Sequence, residues 1–380
     1  MKQTLKVFFY SVAAILMVAT CNKQKEEAKP DSVRIRQSCN PEQLFDAIGG
    51  EVNINFISTN DWHIEVADSW LTVTPSSGTG GSRMVTLKVQ PYEGYERRTT
   101  TATVISGSAT LVLTAIQKAK VEGSLYKVVA HRGGYLENGC AEGSIAAMKA
   151  SIAQRCYGVE CDAMWTADND VVLCHPDDQY KINGLVPSAS TLAQIRAAGK
   201  LTNGEQMPSL ADFLAVLTDK KSNPLGTKLW IDVKGNTTEL QDKVMKRSAE
   251  IAKEMNACEF VEMLVPYSYS AYASLAATMK SQYGINCAWN GRYVTASAYG
   301  KGGWCQVPYG NFRVSEFWPP TGYFNAGVAV SIYQTPGNTS NYTSFYNDIK
   351  EYYPQLKAIF VNHPKYIIEK LIKDGLETAQ

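Results

Sequence analysis

The chain has 380 residues, an apolar fraction of 45% and a formal net charge of +1. That length accommodates two domains and a leader, and the apolar content is enough for globular cores. A near-neutral balance with no long basic run gives no basis for a nucleic-acid partner.

Lys2 and Lys6 precede an apolar stretch from Val7 to Ala19. Residues 1–20 therefore read as a secretion signal, too short for a comfortable transmembrane helix. Val18-Ala19-Thr20-Cys21 resembles a bacterial lipoprotein cleavage site, with Thr20 where Gly or Ala is usual. The resemblance implies that Cys21 becomes the lipidated N-terminus and holds the protein at the outer membrane of the bacterial cell envelope. Acyl chains contribute about 0.8 kcal/mol per buried methylene, so several chains hold firmly. An ordinary cleaved signal with an incidental cysteine is the alternative. Residues 21–31 are charged and poor in apolar side chains, the composition of a flexible tether. Lys25-Glu26-Glu27 within them resembles a surface-export signal, and a solvated linker explains those charges equally well.

Residues 32–118 change character. Glu51–Ile57, Trp62–Val66, Met84–Val89, Thr101–Ile105 and Thr110–Ile116 alternate polar and apolar residues, separated by turn sequences. Many short strands at this spacing predict an all-β, immunoglobulin-like sandwich. Trp62, Trp70-Leu71-Thr72-Val73 and Pro75-Ser76-Ser77-Gly78 resemble the BACON domain. That family's name implies a glycan partner, whereas the residues favour core roles for Trp62 and Trp70 and a spacer role for the domain. His63 is expected to face solvent, opposite Trp62.

Residues 119–125 read as a linker into a third region, 126–380. Strands are expected at Val128–Ala130, Tyr157–Asp162, Val171–Cys174, Leu229–Lys234, Phe260–Val265, Ile285–Trp289, Val328–Tyr333 and Ala358–Val361. Helices are expected at Ser144–Gln154, from Thr191, and at Leu210–Leu217, Glu239–Met255, Ser270–Ser281, Tyr342–Tyr352 and Lys365–Lys373. Residues 290–326 resist parsing. Eight strands alternating with helices over about 255 residues predict a (β/α)₈ TIM barrel.

Polar residues stand at the ends of the early strands. His131 follows the first, Glu160 and Asp162 close the second, and His175 follows the third. Residues i and i+2 of a strand share a face, so Glu160 and Asp162 point one way and Cys161 the other. Asp232 and Lys234 share a face for the same reason. In a parallel barrel all strand C-termini open at one mouth, where the active site lies.

The segment from His131-Arg132-Gly133-Gly134 through Glu142, Glu160/Asp162 and His175 resembles the glycerophosphodiester phosphodiesterase family. The resemblance covers the whole barrel and is densest before residue 235. It implies metal-dependent hydrolysis of glycerophosphodiesters to glycerol phosphate and an alcohol. It implies His131 and His175 as the acid–base pair, without saying which is which, and Glu142 as a supporting carboxylate. Glu160, Asp162 and Asp232 offer hard oxygen ligands that suit Mg²⁺ or Ca²⁺. Arg132 and Lys234 would stabilise phosphate charge. The nucleophile is water or the glycerol hydroxyl beside the phosphate.

The chain departs from the family in places. Asp232 stands where Glu is usual, Pro176 follows the second histidine, and Gly143 replaces an asparagine for which Asn138 is a candidate substitute. His363 reads as a loop residue rather than a third catalytic histidine. The nine cysteines form no evident framework; Cys156, Cys161 and Cys174 read as small core residues, and Cys287 and Cys305 as a candidate bridge. Two other functions compete. One is a barrel phospholipase cleaving intact lipid head groups, with Trp304, Phe312, Phe317, Trp318 and Tyr323 dipping into lipid. The other is a non-catalytic, glycan-binding lipoprotein.

Overall fold

The structure is a computed structural model that describes residues 30–36, 39–176, 180–266, 269–290, 296–299, 302–309, 320–334 and 340–379. The expected signal, most of the tether, Cys21, Phe312, Phe317 and Trp318 lie outside them. The chain forms two compact units: residues up to Tyr92 with Arg97–Lys118, and Glu93–Glu96 with Ala119 onward.

The first unit is a two-sheet sandwich with nine strands among the described residues. They are β1 (Val33–Ile35), β2 (Glu42–Phe45), β3 (Gly50–Ser58), β4 (Trp62–Val66), β5 (Leu71–Thr74), β6 (Ser77–Gly78), β7 (Gly81–Val89), β8 (Arg98–Ser106) and β9 (Ala109–Gln117). One sheet runs β1-β3-β7-β5 and the other β2-β9-β8-β4-β6. Alternation along β3, β7, β8 and β9 sends Ile54, Phe56, Val85, Leu87, Val104 and Leu113 inward, each almost wholly buried. Trp62 packs edge-on against Phe56, ring centroids 5.0 Å apart, and donates from Nε1 to the Thr79 carbonyl at 3.1 Å. A Cβ on Gly78 would lie 2.8 Å from the Trp62 ring, so the Pro-Ser-Ser-Gly turn needs glycine to close over it. Trp70 is half-buried, and the Arg98 guanidinium sits 4.1 Å from the Trp70 and Tyr92 ring centroids. Both tryptophans are therefore engaged inside the module. His63 is exposed.

The second unit is a barrel. Its strands are β10 (Tyr126–Ala130), β11 (Cys156–Trp165), β12 (Val171–Leu173), β13 (Lys228–Val233), β14 (Val261–Val265), β15 (Asn286–Asn290), β16 (Trp304–Pro308), β17 (Ala329–Gln334) and β18 (Ala358–Val361). Eight of them are parallel and close through β10, which pairs with both β11 and β18. The ninth, β12, pairs antiparallel with the end of β11 and lies outside the ring.

Two expectations are thereby corrected. Val171–Cys174 is a hairpin arm, not the third barrel strand. Only Thr166–Asp170 separates it from β11, with Asn169 at φ 59°, whereas a parallel crossover needs about a dozen residues or more. The barrel strand missing from the sequence reading is β16, inside the unparsed region. Trp304 packs into the barrel interior, while Cys305 and Val307 join the outer layer beneath the helices. An eight-strand total thus rested on one strand too many and one too few.

Helices cover the barrel, and the first three have side-chain caps. Ser144 caps α1 (Ile145–Ala153) by accepting from the Ala147 amide. Thr191 with Gln194, and Ser209 with Asp212, form capping boxes for α2 (Leu192–Ala198) and α3 (Leu210–Thr218). Further on lie α4 (Thr238–Glu254), α5 (Tyr269–Tyr283), α6 (Ser340–Ile349) and α7 (Pro364–Lys373). Trp230, Trp304 and Phe360 fill the barrel, the two indoles 4.7 Å apart. Beneath them Lys357 lies 2.8 Å from Glu262, which also accepts from Trp230 Nε1 at 2.8 Å and the Tyr157 hydroxyl at 3.2 Å. Cys287 and Cys305 are both free thiols, so the candidate bridge is not formed.

Candidate active site

The mouth begins where β10 ends. His131-Arg132-Gly133 makes a short turn in which Arg132 adopts a left-handed backbone at φ 50°, strained for a residue other than glycine. The strain places the Arg132 amide 3.0 Å from Glu160 Oε2. The chain then passes so close to α1 that a Cβ on Gly133 would lie 2.6 Å from Ala147 Cβ. His131 turns back toward the last strand: its Nδ1 hydrogen-bonds Asn362 Oδ1, and its ring meets Phe360 edge-on at 5.0 Å.

Glu160 and Asp162 lie side by side on the inner face of β11, and Asp232 pairs in register with Asp162. One carboxylate oxygen from each of Glu160, Asp162 and Asp232 lies within 4.8 Å of the others. Lys234 bridges two of them, with Nζ 3.0 Å from Asp162 Oδ1 and 2.6 Å from Asp232 Oδ2. The Arg132 guanidinium pairs with Glu142, and its Nε lies 3.2 Å from Asp162 Oδ2. That last approach lacks hydrogen-bond geometry, and both atoms are buried without another partner.

Burial shapes the electrostatics. It pushes the Glu160 carboxyl well above the usual carboxylate range, reinforced by Asp162 and Asp232, and it raises Asp232. Burial opposes the Lys234 ammonium, yet Asp232 and Asp162 overcome it and raise that group above ordinary lysine. Burial lowers His131 to about 4, so the imidazole is neutral near pH 7. His175 is lowered too, chiefly by burial, although it stands more exposed at the rim.

A cavity of about 310 Å³ opens beside these groups, lined by Arg132, Glu142, Asp162, His175, Lys200 and Met207 among others. All of the sequence-predicted barrel residues meet at this end: His131, Arg132, Glu160, Asp162, Asp232 and Lys234 in the mouth, and Glu142 and His175 on the cavity wall. Although β12 is not a barrel strand, it runs back along β11, with the Cys174 amide donating to the Asp162 carbonyl at 3.0 Å, and so returns His175 to the site.

This barrel has the fold of glycerophosphodiester phosphodiesterases. A solved structure of such an enzyme from Parabacteroides distasonis matches at a TM-score of 0.53 with 18% identity, covering 67% of this chain and 100% of that one. A candidate member from Galdieria sulphuraria matches at 0.50 with 17% identity, covering 66% and 99%. Ahead of the barrel, residues 37–120 match the family model of the viral BACON domain. No curated protein matches the chain.

Some expectations change. Cys161, expected to turn from the mouth, and Cys174, expected in the core, both reach the cavity lining. Asn138, the candidate substitute for the missing asparagine, braces its own loop by donating to the Gly133 carbonyl at 2.8 Å and accepting from the Cys140 amide. Trp304 and Tyr323 are buried in the barrel, which removes them from any lipid-dipping set. His363 is structural: it packs edge-on to Tyr342 at 5.0 Å and sits 3.5 Å from Glu137. Its neighbour Asn362 is the site residue that sequence reasoning missed. The available signal was position, one residue past the last barrel strand and therefore at the mouth.

Proposed function

We propose that the chain is a metal-dependent phosphodiesterase that hydrolyses glycerophosphodiesters to glycerol phosphate and an alcohol. The observation that carries this is the convergence of two buried carboxylates and a half-buried one, two cations and two histidines at one barrel mouth. The names of the fold relatives support the substrate class.

Glu160, Asp162 and Asp232 would hold the ion. The donor set fits: hard oxygens suit Mg²⁺ or Ca²⁺, and Asp162 Oδ2 is a buried acceptor without a hydrogen bond. When bound, the ion supplies Lewis-acid stabilisation of the charge that grows on the phosphoryl oxygens. Arg132 and Lys234 add fixed positive charge beside it. His131 is neutral, with Nδ1 committed to Asn362, so Nε2, 3.8 Å from Glu160 Oε2, carries the lone pair that takes the proton of the attacking water or glycerol hydroxyl. The new O–P bond forms as the P–O bond to the alcohol breaks; where the glycerol hydroxyl attacks, water then opens the resulting cyclic phosphate to glycerol phosphate. His175, on the cavity wall, acts as the acid: its protonated form, which burial makes scarcer near pH 7, gives its proton to the departing oxygen.

The purified protein, assayed on glycerophosphocholine, glycerophosphoinositol and intact phospholipids, tests this. Turnover of the soluble diesters should vanish with chelator and return with Mg²⁺ or Ca²⁺. Full turnover in excess chelator removes the metal from the reading, and turnover of intact lipids alone makes the chain a phospholipase.

The same proposal places the enzyme on a lipid anchor at Cys21, at the bacterial outer membrane, with the sandwich as spacer. The motif at Val18-Ala19-Thr20-Cys21 supports it. Cys21→Ser should move the protein from the membrane fraction to the soluble one; retention in the membrane overturns the anchor.

A further inference from the structure

The cavity beside the mouth carries information about the alcohol. His175, assigned above to the departing oxygen, lines it, so the alcohol occupies this space. The same cavity is lined by a hairpin in which Lys200 pairs with Gln206 and the Leu201 amide donates to the Glu205 carbonyl. The hairpin is fixed in place. The Glu205 carboxylate accepts from the Ile145 and Ala146 amides at 2.9 and 3.2 Å, where α1 begins and its dipole favours a negative charge. The loop just before α1 supplies Ala141, Glu142 and Gly143 to the same cavity. Lys200 is thus carried on a wall tied to the catalytic side.

Lys200 also differs from the other cations here. Arg132 is paired with Glu142, and Lys234 with Asp162 and Asp232. Lys200 is exposed, and among the described residues its ammonium pairs with no carboxylate. A quaternary ammonium is usually held by aromatic rings, and no described residue lining the cavity is Phe, Tyr or Trp. Resting on the function proposed above, we infer that Lys200 makes the enzyme prefer glycerophosphodiesters whose alcohol bears a further negative charge, such as a phosphorylated polyol, over those of choline.

Glycerophosphoinositol phosphate, glycerophosphoinositol and glycerophosphocholine are the probes. kcat/KM is measured for turnover, and calorimetry gives the Kd, at low and raised salt. The wild-type protein should prefer them in that order. Lys200→Ala should cut the ratio of the first to the last by about fivefold, the scale of one partly exposed charge pair. Lys200→Glu should cut it further, and Lys200→Arg should keep it. The change should fall in KM and Kd and shrink at raised salt. A ratio unchanged in Lys200→Ala, or equal losses on all three probes, overturns the inference and leaves the phosphodiesterase reading standing. Lys200-dependent binding of the anionic probe without turnover of any diester overturns the catalytic reading and keeps the pocket assignment.

Discussion

The two ends of this barrel each bury carboxylate and lysine, and they do so differently. At the base, one carboxylate meets one ammonium. Glu262 takes Lys357, the Trp230 indole and the Tyr157 hydroxyl, and Asn286 lies 3.4 Å away. Each oxygen of that carboxylate has a donor. At the mouth, three carboxylates crowd within 4.8 Å; Lys234 pairs with two of them, and the nearby arginine is already paired to Glu142. There burial pushes carboxyls up, and an acceptor stays unsatisfied. A closed network holds a fold together, whereas an incomplete one leaves room for the cation proposed above.

Breaking each end should separate the two roles. At the base, Lys357→Met leaves Glu262 buried without its counter-charge, so unfolding stability should fall by about 3 kcal/mol. Denaturant midpoints check this, and the protein that remains folded should keep its turnover. At the mouth, Asp162→Asn should do the reverse. It removes like-charge crowding, so stability should hold or rise, while turnover should fall about 10²–10³-fold, as when one preorganised electrostatic group is lost. A mouth variant that unfolds, or a base variant that is folded and inactive, erases the distinction.

The contrast also marks what the sequence makes readable. The mouth is legible because its chemistry is local: His131-Arg132, Glu160/Asp162 and Asp232/Lys234 each sit within a few residues on one strand end. The base is not. Tyr157, Trp230, Glu262 and Lys357 come from four separate strand starts, and in the sequence each looks like an ordinary residue near a strand. Strand identity fails where period says nothing about direction. Val171–Leu173 has the apolar run of a barrel strand, and only the short turn before it shows that it folds back. Trp304–Pro308 is hidden for the opposite reason, since Trp304 and Gln306 face a barrel interior that accepts polar groups, where Gln306 lies 3.4 Å from the Ser331 hydroxyl.

Asn362 sharpens the comparison from inside the mouth, with a smaller effect. It touches no carboxylate of the cluster; its task is to hold His131 through Nδ1. Asn362→Leu should cost about tenfold in kcat with little change in KM, since an imidazole without a fixed partner loses its tautomer and orientation. Asn362→Asp keeps an acceptor and should recover most of the rate. Equal losses in both variants would assign the Asn362 side chain to packing beside Tyr342, whose hydroxyl accepts from the Asn362 backbone amide at 3.1 Å.

The smallest expected effect belongs to Glu205, a carboxylate near the mouth that resembles the base in being satisfied. It accepts from two α1 amides and from the Asn203 side chain at 2.8 Å. Its contribution is that of a helix-terminal anion, about 0.5–1 kcal/mol and weakened by salt. Glu205→Gln keeps an acceptor and loses the charge, so it should cost only a few tenths of that range; Glu205→Ala should cost about 1 kcal/mol. Urea unfolding at low and high salt checks both. Proximity to the mouth would then not suffice to make a carboxylate catalytic, and turnover per folded molecule should stay within about twofold in either variant, a factor worth under 0.5 kcal/mol. A rate loss as large as that of Asp162→Asn would show instead that the hairpin and α1 move with the site, and the satisfied carboxylate would join the mouth after all.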